Sequence, residues 1–460
     1  MKTKIFIVCC LFCVGVYAQD AKKWTLEECI DYAIEHNINI KQKALQKENA
    51  EIELHTAKMS RLPDLNASMG QGWNFGRSNN TPSGIYENQT MSNSSLSVSS
   101  SMPLFTGFKI QNQIEQNKLQ LEATMQSLER AKEDLSLNIA SLFLQVLFNR
   151  EILRVNEEQL SLSQTQVEKT QRLVEFGKVP QAQLYDIEAQ VAKDEVSVIQ
   201  AQNNLQLSLL DLTQSLELER VSDFDVAIPV LGDVVENNMK SILPPEHIYD
   251  NAVNFKPQIK ERELLVKSAE KSLRIAQSGY YPSLYLNLSY NNRYFYDFTN
   301  EGRIYTDPYD PDNPFIFHNE SFRHQFKNNG GEYIGLSLNI PIFNRFTVKN
   351  QVKSARLNIQ NQQLALDDVK KTLFKEIQTA YSNATAAQAK YNATQKAVEA
   401  SQESFKHAQE RYEIGKSSVF EFNEARTKLF QSLSEQIQAK YDFIFLSKIL
   451  DFYNGLPIKL

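Results

Sequence analysis

The spacing of hydrophobic positions changes several times along this chain. Apolar and polar residues alternate over 64–76 and 90–105, and again, with a more apolar face, over 283–299 and 331–343. Such alternation is typical of strands that have one apolar face. After each pair of strands the apolar positions recur every seventh residue, which predicts long helices packed as coiled coils.

A single glycine interrupts each predicted helical segment, Gly177 in VEFGKVP and Gly415 in RYEIGKS. Helices commonly end at a residue in the left-handed conformation, which glycine adopts without steric cost. Each segment is therefore predicted to be a helical hairpin whose tip lies at the glycine. The helix that leads to each tip covers about 65–70 residues, which corresponds to a length of roughly 100 Å.

The chain contains an internal repeat. Residues 25–67 align without a gap with 244–286, and residues 103–178 align with 341–416. Because a whole structural unit is repeated, an element predicted in one copy is also expected at the matching place in the other. Each copy is predicted to contain a helix, two strands and a long helical hairpin.

The domain prediction follows from this repeat. It comprises a signal peptide (1–18), a first structural repeat (19–218), a linker or equatorial segment (219–243) and a second structural repeat (244–460). The hairpins are predicted over 107–218 in the first repeat and 345–453 in the second.

The N-terminus predicts export. Lys2 and Lys4 precede an apolar run, and Ala18 provides a small residue for cleavage. No later apolar stretch reaches the eighteen or so residues of a membrane-spanning helix. Cys29 is the one cysteine left after cleavage, so a disulfide within the mature chain is excluded.

Charge and motifs exclude several classes of function. The formal net charge is −6, from 49 Lys+Arg and 55 Asp+Glu, without a dense basic run, so nucleic acid is not an expected partner. The chain lacks a nucleophile motif, a phosphate-binding loop and a zinc signature. We therefore expect neither catalysis nor a cofactor.

The long loop between the last two predicted strands contains groups that can bind cations. These groups are His318, His324, Asp307, Asp310 and Asp312. A solvated surface loop is the more ordinary interpretation of such a segment, and both interpretations stay open.

Four strands with one uncovered apolar face are unsuited to water. An outer-membrane barrel places such a face against lipid and the polar face in the lumen. Four strands cannot close a barrel, so other copies must supply the rest: two chains give eight strands and three give twelve, and only the latter is wide enough for a channel. A secreted coiled-coil scaffold explains the helices but not the sheet, and a porin acting alone explains the sheet but not the helices.

Several segments resemble the TolC-like outer-membrane efflux family. They are Leu62-Pro63-Asp64-Leu65 with its counterpart Tyr281-Pro282-Ser283-Leu284, the segment Pro103-Leu104-Phe105-Thr106-Gly107, and the two tip glycines. One departure is Ile38, where the family often has proline; Pro257 stands at the matching position of the second copy.

This resemblance implies a mainly α fold with a four-stranded β segment. Three chains would share a 12-stranded transmembrane β-barrel, which continues as a periplasmic tunnel of long helical hairpins. It implies an outer-membrane channel that passively exports drugs, small toxic molecules or polypeptides. The implied partners are two further copies of the chain, outer-membrane lipid, a periplasmic adaptor and an inner-membrane pump of the resistance-nodulation-division or ABC class.

The resemblance also implies two sets of site residues. The adaptor-docking tips would be Phe176, Gly177, Lys178 and Val179 in the first repeat and Ile414, Gly415, Lys416 and Ser417 in the second. The periplasmic gate would consist of Tyr412, Glu421 and Glu424. From the residues alone, the two glutamates also suit the first turn of a helix, and Tyr412 also suits the heptad core.

Overall fold

The computed structural model describes residues 23–79, 85–219, 224–229, 243–307 and 310–459. The predicted signal peptide (1–18) lies outside these residues, as does most of the predicted linker (219–243). The linker's described part includes a short strand.

Long helices account for most of the described chain. In chain order they are α1 (Leu26–His36), α2 (Ile38–Met59), α3 (Lys109–Glu175), α4 (Gln181–Ser215), α5 (Pro245–Phe255), α6 (Pro257–Ser278), α7 (Phe322–Asn328), α8 (Thr347–Glu413) and α9 (Val419–Tyr453). Helices α3 and α8 each have 67 residues, and α4 and α9 each have 35. The equal lengths agree with two copies of one hairpin. Among the described helices, none has an apolar segment long enough to cross a membrane.

The strands are β1 (Lys23–Trp24), β2 (Asn66–Asn79), β3 (Tyr86–Phe105), β4 (Asp225–Val226), β5 (Ser283–Asp297), β6 (Ile304–Asp307), β7 (Asp310–Ile316) and β8 (Gly331–Asn339). A four-stranded antiparallel sheet has the order β2-β3-β5-β8. Its central pair joins β3 of the first copy to β5 of the second. The outer strands of this sheet are therefore β2 and β8.

The chain divides into two compact units. The helical unit lies within Met1–Gln46, Met125–Lys260 and Asp367–Leu460, and the sheet unit within Lys47–Thr124 and Glu261–Leu366.

The core of the helical unit follows the seven-residue pattern. Fully buried residues at the predicted positions are Ile139, Val146, Leu212, Leu373, Ile377, Ala384 and Phe443. Cys29 of α1 is also fully buried in this core, and burial raises the pKa of its thiol to about 12. The thiol is therefore protonated and packs as a small apolar group.

A short parallel pair, β1 with β4, also belongs to the helical unit. Arg150 of α3 forms an ion pair with Asp225 and donates a hydrogen bond of 3.0 Å to the carbonyl oxygen of Val226. Trp24 packs against Phe224 with 5.8 Å between ring centroids. These contacts attach the described part of the linker to α3 and to β1.

The two faces of the sheet differ in chemistry. One face exposes large apolar side chains: Leu65, Met69, Trp73 and Phe75 at β2, and Ile334, Leu336 and Leu338 of β8. On the other face polar side chains bond across strands, since the Ser97 hydroxyl donates to Asn291 Oδ1 at 2.8 Å and the Ser101 hydroxyl to Asn287 Oδ1 at 3.0 Å. The alternation seen in the sequence thus gives a sheet with one apolar and one polar face.

The loop between β5 and β8 has secondary structure that the sequence pattern did not predict. Strands β6 and β7 form a hairpin, and α7 follows it. Side-chain amides bond the free edge of β5 beyond the end of β8: Gln325 bonds both the N–H and the C=O of Phe295, at 2.9 and 2.7 Å, and Asn319 does the same at Asp297, at 2.7 and 2.8 Å. This stretch of edge is therefore capped by side chains rather than by a strand.

Candidate functional site

The first predicted tip is a Schellman turn at the end of α3. Gly177 has a φ of 65°, its N–H donates to the carbonyl oxygen of Val174 at 2.9 Å, and the N–H of Lys178 donates to that of Leu173 at 2.9 Å. This pair of bonds satisfies carbonyl groups that the helix end leaves open. A Cβ atom at this position would meet no atom within 4 Å, so packing does not require glycine here. The positive φ does, because other residues adopt it only at a steric cost.

The second tip repeats this geometry at the end of α8. Gly415 has a φ of 72°, its N–H donates to the carbonyl oxygen of Tyr412 at 3.0 Å, and the N–H of Lys416 donates to that of Arg411 at 2.8 Å. The two tips are thus the same turn built at equivalent positions of the repeats.

Both tips present apolar and basic side chains to solvent. Phe176 and Ile414, which directly precede the glycines, are 76% and 66% exposed. Lys178 and Lys416 are exposed as well, whereas Val179 and Ser417 are half-buried. Tyr185 and Phe420 add exposed aromatic rings that sequence reasoning missed. Exposed apolar side chains grouped together and rimmed by polar residues are one mark of a protein-binding surface.

Near the tips an ion pair joins the two long helices. Lys169 Nζ of α3 lies 3.5 Å from Glu413 Oε1 of α8, and both side chains are more than half exposed. Such an exposed pair contributes little to stability, but it places the ends of α3 and α8 side by side.

Tyr412, the first predicted gate residue, packs inside its own hairpin. Its ring stacks on that of Phe422 with 5.0 Å between centroids, and Phe405 contacts Phe422 at 5.5 Å. Tyr412 is half-buried. Within one chain it therefore contributes to the aromatic packing that joins α8 to α9.

Glu421, the second predicted gate residue, lies in the first turn of α9. Ser418 is the N-cap and accepts a hydrogen bond from the backbone N–H of Glu421 at 3.2 Å, and the Ser417 hydroxyl donates to the Glu421 carboxylate. The bond from Ser417, followed by a bond from Ser418 and the nearby charge of Arg411, lowers the pKa of Glu421. Glu421 is thus a solvent-exposed carboxylate that favours its charged form.

Glu424, the third predicted gate residue, is exposed one helical turn farther along α9. Residues three apart share a helix face, so Glu421 and Glu424 form one acidic strip. In the described part of the chain Tyr412 contacts Phe422, while Glu421 contacts Ser417. The structure therefore brings the two carboxylates together and places the tyrosine in separate contacts.

A buried polar cluster that sequence reasoning missed lies between the two hairpins. Arg426 of α9 and Asp194 of α4 are 1% and 2% exposed, and Arg426 NH2 lies 3.5 Å from Asp194 Oδ2. Ser163 of α3 bonds both groups, because its hydroxyl accepts from Arg426 and donates to Asp194. The amides of Gln159 and Gln190 donate to Asp194 Oδ1 at 2.8 and 2.9 Å.

Polar residues at core positions of the heptads are the sequence feature that indicates this cluster. Each of its three main members lies between two consecutive residues of an apolar stripe, three residues from one and four from the other. This is the second core position of a heptad, and it is occupied by Ser163, Asp194 and Arg426. Burial lowers the pKa of Arg426, and the charge of Asp194 opposes the shift. A polar layer at such positions fixes the register of packed helices.

The histidines of the long loop are paired with glutamates. His318 Nδ1 lies 2.9 Å from Glu301 Oε1, and His324 Nε2 lies 2.9 Å from Glu320 Oε2. The bonds from His318 and the backbone of Asn319 lower the pKa of Glu301. Among the described residues no group of histidine, cysteine and acidic side chains is arranged to hold a metal ion.

Comparison with known proteins is consistent with this geometry. The model of the family described as "Outer membrane efflux protein" matches residues 29–217 and 248–444. The Outer membrane protein TolC of Salmonella enteritidis is 22% identical over 424 residues, which cover 89% of this chain and 77% of that protein.

Two solved structures share the fold. The CmeC outer membrane channel of Campylobacter jejuni has a TM-score of 0.75 and 17% identity, with 95% of this chain and 87% of that chain covered. The outer membrane protein VceC of Vibrio cholerae has a TM-score of 0.72 and 16% identity, with 94% and 97% covered.

Proposed function

This chain belongs to the outer membrane efflux protein family, and we propose that three copies form the exit duct of a tripartite efflux or type I secretion system. The family consists of transport channels rather than enzymes, and the chain is located in the bacterial outer membrane, with its helical tunnel in the periplasm.

The four-stranded sheet is the observation that supports a shared barrel. Its apolar face exposes residues such as Met69, at 84%, and Ile334, at 77%, whereas serine and asparagine side chains bond one another on its polar face. Lipid against the first face and water against the second satisfy both. The outer strands β2 and β8 are then joined to those of neighbouring copies, because an unpaired edge leaves backbone groups open.

Three copies are the proposed number. Three sheets supply twelve strands, which leave room for a lumen, whereas the eight strands of two copies enclose a space that side chains fill. The 12-stranded barrel is thus a property of the assembly.

The proposed division into two structural repeats is supported by the backbone. Two consecutive left-handed residues precede each long helix, Gly107 and Phe108 before α3 and Arg345 and Phe346 before α8. Residues 19–218 and 244–460 are the proposed repeats, and 219–243 links them.

The hairpin tips are the proposed binding surface for a periplasmic adaptor. Each provides an exposed apolar residue, a left-handed glycine and an exposed lysine in a fixed turn. The adaptor would connect the duct to an inner-membrane pump of the resistance-nodulation-division or ABC class. The pump would supply the energy, and drugs, small toxic molecules or polypeptides would pass through the duct passively.

The periplasmic gate is proposed to lie at the second tip. Three symmetry-related copies of Glu421 and Glu424 would concentrate negative potential at a constriction, which favours cations. Tyr412 would support this acidic strip through its packing on Phe422.

Fractionation and crosslinking test this function. We expect the protein in the outer-membrane fraction as a detergent-stable trimer, and Lys178→Cys or Lys416→Cys variants should crosslink to a copurifying adaptor. A Lys396→Cys variant provides a matched control, because Lys396 is an exposed lysine of α8 remote in sequence from both tips. Recovery of a soluble single chain would instead indicate a secreted scaffold.

A further inference from the structure

The apolar face of the sheet contains a groove for which the proposed export function gives no role. It has a volume of about 320 Å³ and is lined by Met69 of β2, Leu96 of β3, Asn292 and Tyr294 of β5, and Phe322 and Phe326 of α7, among others. The ring of Phe322 meets that of Tyr294 edge-on, with 5.1 Å between centroids. Helix α7 therefore covers one end of an otherwise exposed apolar surface.

We propose that this groove binds a phosphorylated glycolipid of the outer leaflet, with an acyl chain against the aromatic rings and a phosphate on α7. The proposal rests on the outer-membrane barrel proposed above. It goes further, because it assigns a lipid class and residues to one site on the barrel wall.

The height of the groove agrees with the outer edge of the membrane. Strand β5 begins at Ser283, five residues after helix α6 ends, and reaches the groove at Asn292 and Tyr294. These nine to eleven residues rise by roughly 25 Å along the axis of a barrel whose strands tilt by about 40°. The apolar band of such barrels is about 25 Å tall, so the groove lies where acyl chains meet polar headgroups.

Helix α7 combines an aromatic and a basic row. Phe322 and Phe326 are spaced by four residues, as are the exposed Arg323 and Lys327 on the adjacent face. Neither basic side chain forms an ion pair among the described residues. Aromatic rings beside cations are typical of helices at the surface of anionic lipid, and both cations can bond phosphate oxygens.

A buried acceptor in the groove indicates which acyl chain it binds. Asn292 is 4% exposed, and its Nδ2 donates to the carbonyl oxygen of Phe326 at 2.6 Å and to the Tyr290 hydroxyl at 3.0 Å. The carbonyl can only accept, which fixes the orientation of the amide. Its Oδ1 has no hydrogen-bond partner. An amide N–H or a hydroxyl on the lipid's acyl chain would satisfy this oxygen, and an ester-linked plain acyl chain would not.

Native mass spectrometry of the detergent-purified trimer tests the site. Diphosphoryl lipid A, which has amide-linked hydroxyacyl chains, should bind the wild type. The Arg323→Gln/Lys327→Gln variant should bind it about tenfold more weakly, as loss of charge-assisted bonds predicts. Both substitutions are on the surface and leave Asn292 and the two phenylalanines in place.

Controls separate the possible outcomes. A Lys396→Gln/Lys406→Gln variant makes the same charge change at exposed positions of α8 and should bind like the wild type. Dephosphorylated lipid A and phosphatidylglycerol should each bind more weakly than diphosphoryl lipid A. Equal binding by wild type and the α7 variant, or of all three lipids, would overturn the proposal while leaving the trimeric duct intact; a soluble single chain would instead overturn the duct.

Discussion

Gly107 and Arg345 have the same left-handed backbone conformation at equivalent positions of the two repeats, with φ angles of 61° and 53°. Each is followed by a left-handed phenylalanine and then by a 67-residue helix. The first repeat uses glycine, which adopts this conformation freely, whereas the second places a side chain in a strained one.

Replacing Arg345 by glycine should stabilise the protein. A left-handed residue other than glycine costs about 1–2 kcal/mol, and the extra freedom of glycine in the unfolded chain offsets about 0.5–1 kcal/mol of the gain. The free energy of unfolding should thus rise by about 0.5–1 kcal/mol, measurable as a higher urea midpoint of the detergent-purified protein.

The opposite change in the first repeat is the control. A Cβ atom at Gly107 would lie 2.8 Å from the carbonyl oxygen of Ser278 and 2.8 Å from Cβ of Tyr281. Gly107→Ala should therefore lower the midpoint. A rise for Gly107→Ala or a fall for Arg345→Gly would contradict the assigned conformations.

Removing one charge of the buried pair should be costly. Arg426→Met leaves the carboxylate of Asp194 without its cation in a site that is 2% exposed. Loss of one partner of a buried ion pair typically costs about 3–5 kcal/mol. A correspondingly lower urea midpoint is the expected measurement.

The double variant distinguishes the charge from the packing. Asp194→Leu with Arg426→Met removes both ions, and Ser163 retains a bond of 3.1 Å to the carbonyl oxygen of Gln159. Apolar replacements of buried pairs are often neutral, so the double variant should be clearly more stable than Arg426→Met alone. A double variant no more stable than Arg426→Met would contradict this assignment.

The periodicity and the two glycines predicted the order of the main helices and strands and the positions of both hairpin tips. The seven-residue spacing marks buried residues such as Ile139 and Ile377, and glycine marks the point at which α3 and α8 end. These features depend on interactions within one helix or with its immediate partner, which a local pattern contains.

Features that depend on tertiary contacts were not predicted. The cluster of Ser163, Asp194 and Arg426 joins three helices, and single polar residues in a heptad do not show which partners they meet. Likewise, Gln325 and Asn319 bond the edge of β5 only because the loop folds back on the sheet. Polar loop composition cannot be distinguished from such an arrangement by its spacing.

Removing the hydroxyl of Ser417 should raise the pKa of Glu421 toward its usual value. The bond from Ser417 is the largest cause of the lowered pKa, so Ser417→Ala leaves the carboxylate easier to protonate. If Glu421 lines the gate, the loss of cation current on acidification should begin at a higher pH in this variant, as measured on single channels.

The same bond links tip stability to pH. Because the pKa of folded Glu421 is lowered, the stability that its charged form contributes is present above the unfolded pKa of about 4.3 and is lost as the pH falls through the folded pKa.

The conservative variant is the control for the channel measurement, since Ser417→Thr keeps a hydroxyl and should behave like the wild type. Identical acid profiles for the alanine and wild-type channels would exclude this role of Ser417.

Substituting both carboxylates tests the gate directly. Glu421→Ala/Glu424→Ala removes the acidic strip, and cation selectivity and cation block should decrease because the negative potential at the constriction is lost. Glu399→Ala/Glu403→Ala removes two exposed carboxylates of α8 and serves as the control. Unchanged conductance and block in the first variant would leave Glu421 and Glu424 as helix N-terminal carboxylates only.

The tip glycines should matter through backbone conformation alone. A Cβ atom at Gly177 or Gly415 meets no atom within 4 Å, yet both glycines have a positive φ. Alanine at either position should cost about 1–2 kcal/mol of local stability and reduce adaptor crosslinking at the neighbouring lysine position. Asparagine tolerates the left-handed conformation better, so the asparagine variants should retain more crosslinking than the alanine variants. Equal losses for both substitutions would show that the adaptor requires a bare backbone at the tip, whereas no loss in either would place the docking surface elsewhere.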